Sequence, residues 1–138
     1  MSNNKSPKKL LLKITTPKGI FLEKKVDEVV IPGSAGYFGV MYGHTAFLTS
    51  ITSGSLEIYS GEKKDTYIIH NGFSEVNFDE VRILTETIEK PEDIDKKRAI
   101  QAKERAKKRL KEKKSEINFR RAEFALKRAI ARLEVAHE

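Results

Sequence analysis

Between residues 10 and 87 the apolar positions fall in short runs at the strand period. Leu10, Leu12 and Ile14 alternate with Leu11, Lys13 and Thr15, which puts an apolar row on one face of an extended segment. Further runs cover 19–24, 26–32, 37–42, 46–51, 55–59, 65–70, 73–77 and 81–87. Turn-forming clusters separate them: Pro17-Lys18-Gly19, Pro32-Gly33-Ser34-Ala35-Gly36, Gly43-His44, Thr52-Ser53-Gly54, Ser60-Gly61-Glu62 and Phe78-Asp79-Glu80. Asn71-Gly72, between two apolar runs, predicts a hairpin because both residues tolerate positive φ. Many short strands without helical stretches between them predict an antiparallel sandwich or barrel and argue against a parallel sheet with crossover helices.

From Pro91 onward the period changes. Pro91 suits the first position of a helix, and Glu92, Asp93 and Asp95 set negative charge in its first turn. Helix-favouring residues continue to about Glu112, Lys113-Lys114-Ser115 predicts a break, and Ser115 is a fitting N-cap for a second helix over 116–136. The second helix carries a seam of Phe119, Ala122, Leu126, Ala129, Leu133 and Ala136; the first offers Ala99, Ala102, Ala106 and Leu110. Alanine lets two antiparallel helices approach closely, but a buried methyl gains only about 0.8 kcal/mol against roughly two or three for a leucine. The hairpin is therefore weakly self-associated and able to open. The expected class is β + α: an N-terminal antiparallel β-sandwich over 1–90 followed by a C-terminal two-helix antiparallel hairpin over 91–138.

At 138 residues the chain suffices for one domain or two small ones, and 38% hydrophobic with 34% charged residues is ordinary for a soluble protein. The charge is unevenly placed. The first 90 residues hold eleven basic and eleven acidic side chains, whereas the last 48 hold sixteen basic and nine acidic, which is the whole +7. All eight glycines lie at or before Gly72. The basic half implies nucleic acid, anionic lipid or an acidic protein surface as partner, or simply a solvated lysine-rich helix face. Cysteine is absent, which removes disulfides and thiolate chemistry. No apolar run reaches the roughly 18 residues of a membrane span, and Leu10-Leu11-Leu12, broken by Lys13, is too short for a signal-peptide core. The expectation is a cytosolic protein without direct membrane insertion, attached to a membrane only through a partner.

Catalytic chemistry finds little support. His44, His70 and His137 lack partners at metal-ligand spacing, and no metal site is expected. His44, Asp65 and Ser74 can be drawn as a hydrolase triad, but any chain of this length offers such a set. No GxxxxGK[ST] or strand-linked GxGxxG is present. The arginines are patterned instead. Arg98 and Arg105 are seven apart on the first helix and share a face, as do Arg128 and Arg132, four apart on the second. Packed antiparallel, these faces bring four guanidiniums together, an arrangement that calls for an anion such as phosphate. Asp95, one turn before Arg98, either accepts a hydrogen bond from an amino group or forms an ordinary i,i+3 surface pair.

Three stretches resemble the epsilon subunit of the bacterial F-type ATP synthase: Gly36-Tyr37-Phe38-Gly39-Val40-Met41-Tyr42-Gly43-His44, Asn71-Gly72-Phe73-Ser74-Glu75-Val76, and Ile94-Asp95-Lys96-Lys97-Arg98-Ala99. The last matches the family's I/L-D-x-x-R-A nucleotide motif. Order and spacing, followed by Ala129-Ile130-Ala131-Arg132-Leu133, extend the resemblance over essentially the full length. It implies a sandwich of about ten strands and a two-helix hairpin. It also implies a non-catalytic rotor subunit seated on the gamma subunit and the c-ring. Such a subunit lies peripherally on the cytoplasmic face of the bacterial plasma membrane. Its hairpin folds on the sandwich or extends to meet the alpha and beta catalytic subunits and block ATP hydrolysis.

The resemblance further implies ATP as a regulatory ligand that is not hydrolysed, with magnesium's part left open. Ile94 and Ala99 would flank the base and Asp95 accept from its amino group. Arg98, Arg105, Arg128 and Arg132 would hold the phosphates, assisted by Glu89. Tyr37 and Tyr42 stand where the family often has an acidic residue and a proline, and with His44 they are the candidates for the rotor interface. The competing readings are a basic nucleic-acid-binding module, weakened by having only Phe119 and Phe124 as aromatics in the hairpin, and a small hydrolase.

Overall fold

A computed structural model describes residues 8–112 and 115–136. The expected break at Lys113-Lys114, His137 and the extreme N-terminus lie outside the described residues. Eight strands come first: β1 (Leu10–Thr16), β2 (Gly19–Val26), β3 (Glu28–Gly33), β4 (Gly36–Met41), β5 (Phe47–Ile51), β6 (Gly54–Ser60), β7 (Lys63–Val76) and β8 (Glu80–Glu89). A 3-10 turn, Pro91–Asp93, leads to helices α1 (Lys96–Glu112) and α2 (Glu116–Val135). The class read from the sequence, a β-sandwich followed by a helical hairpin, is the one observed.

The strands are ordered β2-β1-β8-β7-β5-β3-β4, and β6 pairs with both β3 and β7. Strands β7, β5, β3 and β6 thus close a ring, from which β8, β1 and β2 extend on one side and β4 on the other. Period-two burial fills it. Leu10, Leu12 and Ile14 of β1 point inward, as expected, and pack with Val26, Val29, Ile31, Val40, Ile51, Leu56, Ile58, Ile69, Val76, Val81 and Ile83. One pairing departs from the antiparallel expectation: β1 runs parallel to β8, with Leu11 opposite Glu80 and Thr15 opposite Leu84. The connection between these two strands is the remainder of the sandwich rather than a crossover helix.

The hairpin expected at Asn71-Gly72 is not there. The two runs on either side form one strand, β7, of 14 residues. Both residues do have positive φ, 54° at Asn71 and 148° at Gly72, but the irregularity marks a change of neighbour. Up to Ile69 the strand pairs with β6, and from Gly72 it pairs with β5, while β8 runs alongside from Ile68 to Val76, across the change of neighbour. Gly72 is required by proximity, since a Cβ there lies 1.8 Å from the Leu84 carbonyl oxygen. The about ten strands implied by the resemblance are eight among the described residues.

Pro91 does not begin the first α-helix. It opens the 3-10 turn, and Ile94 N–H closes it on the Pro91 carbonyl at 3.2 Å. The α-helix starts five residues later because Asp95 caps it: its Oδ1 accepts from Arg98 N–H at 3.1 Å and its carbonyl from Ala99 N–H at 3.0 Å. Ser115 is the N-cap of α2, its hydroxyl oxygen accepting from Asn118 N–H at 3.1 Å. Ala99 and Ala106 on α1 and Ala122 and Ala129 on α2 are buried, and the larger seam residues Leu110, Phe119, Leu126 and Leu133 are half-buried. The seam is as thin as its alanine content implies.

Candidate functional site

Helix α2 has a second stripe that the seam does not use. Arg128, Ala131, Arg132 and Val135 are spaced three, four and seven from Arg128 and lie toward the sheet, where α2 packs on β6 and β7. Ala131 is buried there although it is no part of the interhelical seam. Its small side chain lets the helix approach the sandwich beside β7, where Ile68, Ile69 and His70 are buried consecutively. Alternation fails at that point because sandwich core lies on one face and the hairpin on the other.

Four polar side chains meet at this contact. Glu89, at the end of β8, takes two hydrogen bonds on Oε1: from Arg132 Nε at 2.9 Å and from His70 Nε2 at 2.8 Å. His70 Nδ1 lies 3.0 Å from the Ser53 hydroxyl. Since the carboxylate accepts, Nε2 carries the proton, and in the neutral ring Nδ1 accepts from Ser53. The His70 side chain is 1% exposed, against 28% for Glu89 and 31% for Arg132. Burial holds the imidazole below its ordinary value; the hydrogen bond to Glu89 opposes this, and the charges of Arg132 and Arg128 reinforce it.

A cleft of about 540 Å³ opens beside this group, lined by Pro17, Ile20, Phe21, Ile88, Glu89 and Arg132 among others. It offers an apolar wall and a guanidinium, which suits a ligand with a flat apolar part and an anionic part. Beside the end of α2, a cleft of about 740 Å³ presents Glu57, Asp65, Glu92 and Glu134 against Lys64 and Lys90, the wrong sign for phosphate.

The residues expected at a nucleotide site divide between two places. Glu89, Arg128 and Arg132 gather around His70. Asp95, Arg98, Ala99 and Arg105 follow one another along α1: Asp95 is engaged as the helix cap, Ala99 is buried, and Arg98 and Arg105 are exposed, with Arg105 Nε 3.5 Å from the Gln101 carbonyl. Ile94 is half-buried between the 3-10 turn and α1.

Tyr37, Tyr42 and His44 also divide. Tyr37 lies near the start of β4 and Tyr42 just past its last residue, Met41, roughly 17 Å apart at strand rise. Tyr37 OH accepts from Ser55 N–H at 3.1 Å. Tyr42 packs edge-on against Phe78 at 5.0 Å, and His44 Nδ1 donates to the Thr45 carbonyl at 2.6 Å. The drawn triad does not assemble: Asp65 pairs with Lys24, and Ser74 Oγ is buried with no hydrogen-bond partner. Among the described residues no cluster of His, Asp and Glu is arranged to hold a metal.

His70 and Ser53 are not among the expected site residues. Spacing carries no signal for them, because His70 meets Glu89 across a strand pair in which Ile68 stands opposite Glu89. The usable hint was a histidine ending the apolar run Tyr67-Ile68-Ile69.

Residues 9–91 match the family described as ATP synthase, Delta/Epsilon chain, beta-sandwich domain, and residues 92–137 match its long alpha-helix domain. The chain is 41% identical over 128 residues to the ATP synthase epsilon chain of Nitratidesulfovibrio vulgaris (strain DP4), covering 93% of this chain and 96% of that one. It is 42% identical over 130 residues to that of Syntrophobacter fumaroxidans, covering 94% and 97%. Among solved structures, a chain of the Euglena gracilis mitochondrial ATP synthase, in an assembly of OSCP, F1 and c-ring, superposes with a TM-score of 0.82 at 28% identity, covering 95% of this chain and 83% of that one.

Proposed function

The chain belongs to the ATP synthase delta/epsilon family, and from that premise we propose that it is a non-catalytic central-stalk subunit whose hairpin is a regulatory arm. In this reading the sandwich, residues 1–90, seats on gamma and the c-ring, and the hairpin, residues 91–138, is held on the sandwich or extends to the catalytic subunits and inhibits ATP hydrolysis. The protein lies peripherally on the cytoplasmic face of the membrane, and none of its described helices is long and apolar enough to cross one. The observation that carries the reading is the nature of the hairpin's attachment. It is held by alanine methyls, half-buried side chains and a polar contact through Glu89 and Arg132 rather than by a large apolar core, which suits a part that leaves and returns.

ATP is the proposed regulatory ligand. Arg128 and Arg132 fit its phosphates on condition that Arg132 exchanges Glu89 for phosphate oxygens, and the apolar wall of the adjacent cleft suits a base. A ligand that binds only the docked hairpin shifts the population toward it, by its difference in affinity for the two states. Arg98 and Arg105 join this site if α1 turns them inward. The extended hairpin would meet acidic surface on the catalytic subunits, with an attraction that salt weakens.

Two measurements test the reading. ATPase activity of the assembled complex is compared between the full chain and one ending at Lys90; equal rates at low ATP would end the inhibitory role. Calorimetric titration of ATP is run on the full chain and on Arg98→Ala and Arg128→Ala, and equal heats in all three remove the nucleotide site.

A further inference from the structure

Among the described residues, the buried polar side chains of the sandwich are His70, Ser74 and Thr85. Thr85 Oγ1 lies 3.1 Å from the carbonyls of His70, Asn71 and Thr87 and serves the irregularity in β7. Ser74 faces the core without a partner. His70 differs from both. It is titratable and sits where an acid of the sandwich, Glu89, meets a base of the hairpin, Arg132. We propose that Ser53, His70, Glu89 and Arg132 form a proton-operated latch: with His70 neutral their hydrogen bonds hold α2 on the sandwich, and a proton on His70 releases it.

The latch works through the charge around a single carboxylate. In the docked state Glu89 Oε1 serves two donors. Helix α2 contributes Arg132 and Arg128, strand β8 contributes Glu89, β7 contributes His70 itself, and the β5–β6 loop contributes the uncharged Ser53 hydroxyl. With the ring neutral, Glu89 bonds Arg132, and the charge of Arg128 also acts on the ring. Protonation makes three cations around one anion beside a ring that water hardly reaches, and Glu89 turns from a bridge to the helix into the counter-ion of His70. The cheapest relief is for the helix carrying the two arginines to move away, which also returns the imidazolium to water. Burial already disfavours the charged ring in the docked state. The sign follows. Docking is at full strength above the ring's ordinary value near 6.5 and weakens as pH falls below it. Acidification therefore favours the free hairpin. The latch needs the hairpin mobility proposed above, but it does not need ATP.

The chain lacks cysteine, so spin labels at Lys63→Cys and Lys127→Cys, both exposed, report the sandwich-to-α2 distance in the full chain without nucleotide. We expect one docked distance at pH 8. As pH falls from 7 to 5.5 a longer-distance population should grow, the open-to-docked ratio rising by up to about tenfold per pH unit, the limit for one proton. His70→Gln keeps a donor for Glu89 but does not titrate, and should hold its ratio constant over the same range. A ratio in the unsubstituted chain that does not change with pH overturns the latch, as does a His70→Gln chain that opens in parallel with it. If His70→Gln proves unfolded by circular dichroism, the carbon-13 titration of the His70 ring decides: a midpoint shared with opening supports the latch and a separate midpoint refutes it. A hairpin that responds to ATP but not to pH refutes the latch and leaves the nucleotide reading standing.

Discussion

At the scale of single residues, Gly72 and Asp95 show how one sequence signal supports two structures. Asn-Gly favours positive φ, and positive φ is what β7 has there; the tight turn inferred from it was a further step that strand partners decide. The test is steric. Gly72→Ala places a methyl against the Leu84 carbonyl and the Thr85 backbone at a φ that L-residues avoid, so it should cost upwards of about 3 kcal/mol in urea denaturation or abolish folding. Gly39→Ala meets only the flexible end of Glu28 and should stay within about 0.5 kcal/mol. Asp95 was legible as a residue of interest, but its cap is a local fact and its ligand role is not. Asp95→Asn keeps a capping oxygen and should leave stability nearly unchanged, while Asp95→Ala should lose about 1 kcal/mol. If ATP binding weakens in the asparagine variant as much as in the alanine variant, the carboxylate acts on ligand and not only on the helix.

At the scale of elements, legibility followed how local each cause is. The seam alanines, the Ser115 cap and the alternation in β1 depend on neighbours within a few residues, and they stand where the spacing put them. The union of two runs into β7, the parallel β1–β8 pair and the sheet-facing stripe of α2 depend on residues far away in sequence, which no periodicity encodes. The stripe explains what the hairpin lacks alone. Among the described residues, its buried seam side chains are the methyls of Ala99, Ala106, Ala122 and Ala129, each gaining about 0.8 kcal/mol, well under the cost of ordering two helices. A peptide of residues 91–138 should therefore show helical circular dichroism well below that expected of its helices in the intact chain. It should also melt without a cooperative transition. A sharp transition in the peptide would mean that the seam suffices and that docking on the sandwich is not what stabilises the hairpin.

At the scale of the whole molecule, the two halves differ in what holds them. The apolar core cluster is drawn wholly from Leu10 to Ile83, so the sandwich carries its own stability, and a chain ending at Lys90 should fold. That chain also isolates the electrostatics of the contact. Removing α2 takes away Arg128, Arg132 and the cover over His70, and the ring should titrate closer to 6.5 than in the full chain. In the full chain a histidine held below its ordinary value is stabilising above that value, and the benefit is lost as pH falls from about 6.5 toward the lowered one. Carboxylates of the sandwich away from α2, such as Asp27, whose hydrogen bond from Gly61 N–H lowers it, are common to both chains and largely cancel in the comparison. The full chain should therefore lose more melting temperature between pH 7.5 and 5.5 than the chain ending at Lys90, read by parallel thermal denaturation. Equal losses would mean that the hairpin leaves no electrostatic mark on the sandwich. The Glu89–Arg132 bridge would then be a surface pair of the ordinary, weak kind.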